Sequence, residues 1–464
     1  MSTTWIRTFA TAATAVATTL LAPDTPAQDQ ALPSLSVQQT TLSNGLRLIL
    51  HVDSTTPTVA VNLWYHVGSK DEPARRNGFA HLFEHLMFQG SKNVGEDQFF
   101  MYLERAGASD RNGTTSLDRT NYYATVPSNQ LELVLWLESD RMGFLLDHVD
   151  QKTFESQRSV VLNERRQNYV DAPYGMVPQF IQERVYPSGH PYHNLTIGSP
   201  EDLNAATLSD VQTFYKAFYV PNNATLVIAG DIDPAETKRL VEQYFGPIPK
   251  APEPSVITQA SPAPIQGEQV VEVEAAVELG RVYVTYATPP FFAPGDAELD
   301  GLSHVLSNGK TSRLYKRLVY DLQIAKEVWA YQASNQLASR FQIVATAKPG
   351  IAPRTLLQAI DEELERLRKV APTEAETQRA KANLESSLIF RVEEVGHRAD
   401  MFNTYAHLAG SPDYFARDVA RYRALTPASL HQATRTYLPS TDRLVVFVEP
   451  TADAPRSGRL KGAK

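Results

Sequence analysis

The chain has 464 residues, with 44 basic against 52 acidic side chains, a formal charge of −8 and no cysteine. That length exceeds what one ordinary core supports and calls for two or more domains. No Lys/Arg block stands out, which argues against a nucleic-acid partner, and the lack of cysteine leaves only histidine and carboxylate to hold any metal.

The N-terminus, MSTTWIRTFATAATAVATTLLAPDTPAQDQ, offers one arginine, an apolar small-residue stretch from Thr8 to Ala22, and TPA with Thr25 and Ala27 as cleavage-site residues. This pattern predicts a secretory signal over 1–27 and a periplasmic or secreted protein. The mitochondrial matrix is the alternative, because the stretch is acid-free up to Asp24. No later apolar run reaches the roughly 18 residues that a membrane span requires.

A first domain is expected over 28–246. GLRLILHVD and TVAVNLWYHVGS alternate as half-buried strands do. From about Gly78 a helix follows with the stretch HLFEHLMFQG. At 100° per residue, with His81 at the origin, Glu84 falls at about 300° and His85 at about 40°, so three ligand-type side chains share one face. Leu82 and Phe83 take the buried arc. A third strand, TNYYATVP, precedes the helices LELVLWLESDRMGFLL and FESQRSVVLNERRQNY. HPYH, at 190–193, reads as a loop because Pro191 stands beside Gly189.

Six prolines in PIPKAPEPSVITQASPAP mark an extended linker over 247–267. Beyond it the chain starts over: QVVEVEA and RVYVTYATP are strands, followed by helices and a long helical region from Pro353 to Tyr437. YVPNNATLVI at 219–228 and YLPSTDRLVV at 437–446 share Tyr, Pro, Leu and Val in register, the mark of an internal duplication. The second domain is expected over 268–450, without a metal motif, and 451–464 as a polar tail. The fold class is α+β: two homologous α/β-sandwich-like domains, each an antiparallel-rich sheet packed with helices.

Two histidines four apart supply two ligands of a metal site, and a catalytic site of this kind takes three plus an open position. The best third candidate is Glu164, on a predicted helix beside Val160 and Val161. Manganese or cobalt suit a His₂Glu set as well as zinc does.

HLFEH, then NGTTSLDRTNYYATVP, then VVLNERRQNYVDAPYG resemble the successive signatures of the pitrilysin-type zinc peptidases, the inverted-motif class that includes the mitochondrial processing peptidase. The similarity spans nearly the whole chain after the signal and is strongest from Gly78 to Gly175. It implies that His81, His85 and Glu164 bind one zinc ion and that Glu84 is the general base for hydrolysis of peptides or unfolded segments. It also implies that Asn112 and Gly113 lie on a sheet edge to which substrate adds as a strand; on propensity alone NGTT is a turn. Gln157 departs from the glutamate that several branches carry there, and still suits a supporting hydrogen bond.

The second domain departs further. Where the resemblance calls for an arginine followed by a tyrosine that reach the substrate carbonyl, LVYDLQIAK places Val319 and Lys326. A heterodimer with a homologous non-zinc subunit that brings this Arg/Tyr pair is therefore expected. A homodimer is the alternative if Arg317 and Tyr320 substitute. The competing function is a non-catalytic structural or peptide-binding subunit.

Overall fold

The computed structural model describes residues 32–261 and 263–462; the expected signal segment lies outside them. The chain from Leu35 onward forms one compact unit built on two six-stranded sheets. The first comprises β1 (Gln38–Thr41), β2 (Arg47–Val52), β3 (Thr58–Tyr65), β4 (Asp110–Thr115), β5 (Thr120–Pro127) and β6 (Ala224–Gly230), in the order β1-β2-β6-β3-β5-β4. The second comprises β7 (Glu268–Ala275), β8 (Arg281–Thr288), β9 (Ala325–Ala333), β10 (Ser339–Ala347), β11 (Arg443–Pro450) and β12 (Arg459–Leu460), in the order β12-β7-β11-β8-β10-β9. Each contains one parallel pair, β2 with β6 and β7 with β11, among antiparallel neighbours. The repeated YxP segments lead into β6 and β11, which take the same place in the two sheets. Two α+β domains of one topology are the result.

The central strands are buried on both faces, which is why they carry long apolar runs. In β3, Val59, Val61, Leu63 and Tyr65 point into the first core with the helices of their own half. Asn62 and Trp64 point the other way, as does His66 just beyond the strand; Asn62 meets Asp400 of a second-half helix, and Trp64 and His66 meet His407 in the turn that follows it. On the second sheet, Val445 and Phe447 of β11 enter that half's own core, whereas Leu444, Val446 and Val448 pack with residues 177–192 of the first half.

The covering is reciprocal. A helix at Val177–Val185 lays Val177, Ile181 and Val185 on β7, β8 and β11. In return, the helix at Val395–Thr404 sends the Asn403 amide to the backbone oxygen of Asn62, 2.9 Å away, and pairs Arg398 with Asp53 at 2.5 Å. Tyr192, from the HPYH loop, adds a buried bridge: its hydroxyl donates to Asp118 and accepts from the Leu337 amide at 2.9 Å. The histidines of that loop are used locally, His190 Nδ1 accepting from the Tyr192 amide and His193 Nδ1 donating to the Tyr186 carbonyl.

From 246 to 267 no helix or strand forms among the described residues; Ile248 pins one end of this stretch to the first core and Ile265 the other to the cluster shared by the two halves. The residues after Pro450, expected as a polar tail, turn back as β12, with Arg459 on Glu274 and Lys461 on Glu272. The charged composition that reads as a tail is complementary to an acidic strand.

Ile181 is 2% exposed and sits in the middle of this exchange. Ile181→Ala should lower the unfolding free energy by about 2–5 kcal/mol, read as a lower urea midpoint. A midpoint unchanged from the parent would mean that the helix is not what holds the second sheet.

Candidate metal centre and cleft

The helix carrying HLFEH, α1 (Phe79–Leu86), begins at Gly78 with φ 100°. The carboxylate of Glu72 accepts from the amides of Gly78 and Ala80, each at 2.9 Å, and so satisfies two donors that have no partner within the helix. Phe79, Ala80, Leu82, Phe83 and Leu86 are buried, which leaves His81, Glu84 and His85 as a half-buried stripe. That stripe faces α2 (Gln151–Arg165), whose penultimate residue is Glu164.

His81 Nε2 lies 3.6 Å and His85 Nε2 3.4 Å from Glu164 Oε2. The three donor atoms fall within 4.8 Å of one another. Burial, with His85 beside it, pulls His81 down to about 4. His85 is lowered too, by burial, against the opposing effects of Glu164 and of a hydrogen bond with Gln157. Burial thus disfavours the charged form of both imidazoles, and the Nε2 atom of each faces the Glu164 carboxylate. His81 Nδ1 is buried and has no hydrogen-bond partner among the described residues.

Glu84 takes a separate position. Its Oε2 accepts from the Thr115 hydroxyl at 2.6 Å. Burial raises its carboxyl above the ordinary range, Thr115 opposes this, Glu164 adds to it and Arg119 opposes it. Thr115 ends β4, an edge strand whose ladder is with β5 alone. Asn112 and Gly113 lie in the same strand, Asn112 exposed and Gly113 buried. A β-carbon on Gly113 would stand 3.0 Å from Glu84 Cγ and from the Phe88 ring, so the glycine lets the edge approach the stripe closely. NGTT is a strand here, and the turn expected from propensity alone is overridden by pairing with β5.

The site opens into a cleft of about 510 Å³ whose walls include His81, Thr115, Glu164 and Tyr169 and, from the second half, Arg281 and Tyr283. Tyr169 belongs to a π-helical turn at Arg166–Val170 that directly follows α2. Val319, Lys326, Arg317 and Tyr320 are not among the cleft-lining residues. Val319 packs on the second core, Lys326 is exposed, Arg317 donates to Glu362 at 2.8 Å and Tyr320 is 74% exposed. Thr115, Arg281 and Tyr283 join the site without a motif to announce them, and only Thr115 has a local signal, since strand parity from Gly113 puts it on the same face.

Residues 47–194 match the family described as Insulinase (Peptidase family M16), and residues 205–384 match the Peptidase M16 inactive domain. The chain belongs to peptidase family M16. Over 421 residues it is 29% identical to the zinc protease PqqE of Helicobacter pylori, covering 89% of this chain and 93% of that protein. The crystal structure of a protease from Helicobacter pylori superposes with a TM-score of 0.83 at 28% identity, covering 90% of this chain and all of that one. The periplasmic protease PqqL of Escherichia coli shares the fold, with a TM-score of 0.75 at 18% identity; the match covers 91% of this chain and 48% of that one. In this M16 chain the only three-donor metal cluster among the described residues lies in the first half.

Gln157 is buried on α2, and its side chain hydrogen-bonds His85. Gln157→Leu should weaken divalent-metal binding by about 10- to 100-fold, measured by competition against a chromogenic chelator, with little change in melting temperature of the metal-free chain. Unchanged affinity would leave the residue a packing role only.

Proposed function

We propose that this M16 chain is a zinc metalloendopeptidase that hydrolyses peptides or unfolded segments. The observation that carries the reading is the convergence of His81, His85 and Glu164, with the separately held Glu84 beside them. Zinc–ligand bonds of about 2.1 Å put two ligands of a tetrahedron about 3.4 Å apart, and the His–Glu separations of 3.4 and 3.6 Å fit that edge. Depressed imidazoles and a carboxylate match the neutral and anionic donors that zinc prefers, and the absence of cysteine leaves no competing ligand type. His81, His85 and Glu164 would hold the ion. When bound, zinc supplies a Lewis acid that polarises a carbonyl and acidifies water.

The remaining steps fall to the chain's own groups. Glu84, with Oε2 engaged by Thr115, takes the proton of the attacking water on its free oxygen and returns it to the leaving amine nitrogen. A carboxyl raised by burial suits both directions of that transfer. The outer edge of β4 offers backbone donors and acceptors to an extended peptide, giving affinity with little sequence preference, and Asn112 and Gly113 lie along that edge.

The competing reading is a structural or peptide-binding subunit without turnover. It is disfavoured by retention of all four residues. Glu84→Gln should keep its zinc yet lose nearly all hydrolysis of a long unstructured peptide, because an amide cannot accept the proton, whereas Glu164→Gln should lose zinc itself. Substantial activity in a Glu84→Gln preparation free of parent enzyme would defeat the assignment of the base.

Export to the periplasm is supported by the signal-like segment 1–27. Edman sequencing of protein from the native periplasmic fraction should then begin near Gln28; an intact Met1 recovered only from the cytosol would refute it. A partner that carries an Arg/Tyr pair is supported by the absence of one at Val319 and Lys326. Adding such a homologue should stimulate cleavage by the isolated chain, and no stimulation would dismiss it.

A further inference from the structure

The second half, which carries no metal cluster among the described residues, nevertheless sends two polar side chains into the metal cleft. Arg281 and Tyr283 open β8 and, being two residues apart, stand on one face of it. That is the face covered by the first-half helix at Val177–Val185, with Tyr283 packed in the shared cluster. The chain reversal that delivers this helix passes Tyr174, which stands in the left-handed region at φ 61°. The Tyr174 amide donates to the Arg456 carbonyl at 3.1 Å and its hydroxyl to the Leu279 carbonyl at 2.7 Å.

Arg281 is held on several sides. Its guanidinium lies 3.9 Å from the centre of the Tyr174 ring. Nε donates to Thr346 Oγ1 at 2.9 Å and Nη1 to the Tyr283 hydroxyl at 3.2 Å. Glu327 Oε1, 3.6 Å from Nη2, forms an ion pair with it that is too long for a direct hydrogen bond. A guanidinium has five N–H donors, so three make no hydrogen bond among the described residues. The Tyr283 oxygen accepts from Arg281 and keeps its own proton to give. A fixed donor pair at the wall of a cleft is preorganised for oxygen acceptors, since its ordering is complete before anything binds.

We propose that Arg281 and Tyr283 form the peptide-capturing wall of this cleft, donating hydrogen bonds to substrate oxygens, either a backbone carbonyl beside the cleavage point or the terminal carboxylate of a short peptide. The proposal rests on the peptidase reading and deepens it. The metal half then hydrolyses and the second half of the same chain grips the substrate, alongside whatever donors a partner subunit adds.

Binding of a fluorescein-labelled unstructured peptide to zinc-loaded Glu84→Gln protein, followed by anisotropy, reads capture without turnover. Arg281→Met and Tyr283→Phe should each weaken binding about tenfold, and Arg281→Lys should not restore it, because an ammonium lacks the fork. Tyr283→Phe keeps the ring in its packed position, so it tests the hydroxyl even if Arg281→Met loosens the contact with Tyr174. The peptide is used with a free and with an amidated C-terminus. A defect seen with both forms assigns the pair to an internal carbonyl, and one confined to the free acid assigns it to the terminal carboxylate; either supports the proposal. Affinity unchanged by Tyr283→Phe and Arg281→Lys, or no peptide binding by the Glu84→Gln protein, overturns it. With the Glu84 position restored, a chain that cleaves peptides equally well with and without these substitutions sinks this inference alone. A chain that binds through Arg281 and never cleaves sinks the peptidase reading alone.

Discussion

A mixed sheet with apolar residues on both faces cannot remain half-covered in water, and neither half of this chain has enough helix on its own side to cover both faces of its sheet. Each therefore depends on one helix from the other. The Val177–Val185 helix lies on the second sheet and the Val395–Thr404 helix on the first, with buried apolar contacts in one direction and Asn403, Arg398 and Asp400 in the other. Burying Val177, Ile181 and Val185 contributes about 1.5–3 kcal/mol each, large against a typical net stability of about 5–15 kcal/mol. The exchange makes the two homologous halves one folded unit, and it also fixes where the cleft lies. The segment that crosses from α2 to the second sheet runs through Tyr169, Tyr174 and Gly175, and these residues become the cleft wall.

The sequence exposed what is local and hid what is not. The stripe of His81, Glu84 and His85 is readable because α1 is one short helix and its angular spacing follows from the residue count. The strands β2 and β3 are readable as strands, although both are buried on both faces and not half-buried as alternation suggests, and the duplication is readable from the repeated YxP approach to β6 and β11. Glu164 was reached as a candidate from its helix, yet its approach to His81 and His85 depends on how α1 packs against α2, which spacing cannot encode. Asn112 and Gly113 were legible as an edge only through family resemblance, because NGTT has the composition of a turn and is made a strand by pairing with β5.

Arg281 and Tyr283 were invisible for a different reason. RVYVTYAT is an ordinary strand pattern, and a polar residue at its start reads as solvent-facing. What brings those side chains to the metal cleft is the covering of the sheet by a helix from the far half, a contact with no counterpart in the spacing of either segment. The stretch around Val319 and Lys326, where the resemblance places an Arg/Tyr pair, lies in and beyond a π-helical turn that builds the second core and its surface.

Duplication followed by division of labour explains why the site is asymmetric. The helix that follows β8, at Asp296–Ser307, holds the place in the second half that α1 holds in the first, but its two aspartates are spent on structure. Buried Asp296 accepts from the Phe292 amide at 3.0 Å and pairs with Arg421 at 3.1 Å, while Asp300 accepts from Tyr422 at 2.8 Å. Those carboxylates have partners and offer nothing to a metal. In α1 the opposite holds: the Nε2 atoms of His81 and His85 face the Glu164 carboxylate, and burial lowers both imidazoles below their ordinary range. Such groups cost stability in a metal-free chain, and an ion that engages the three facing donors would offset that cost by binding the folded state alone. One copy of the duplicated unit has thus resolved its polar groups internally and become a stable wall, and the other has left them unresolved around a single point.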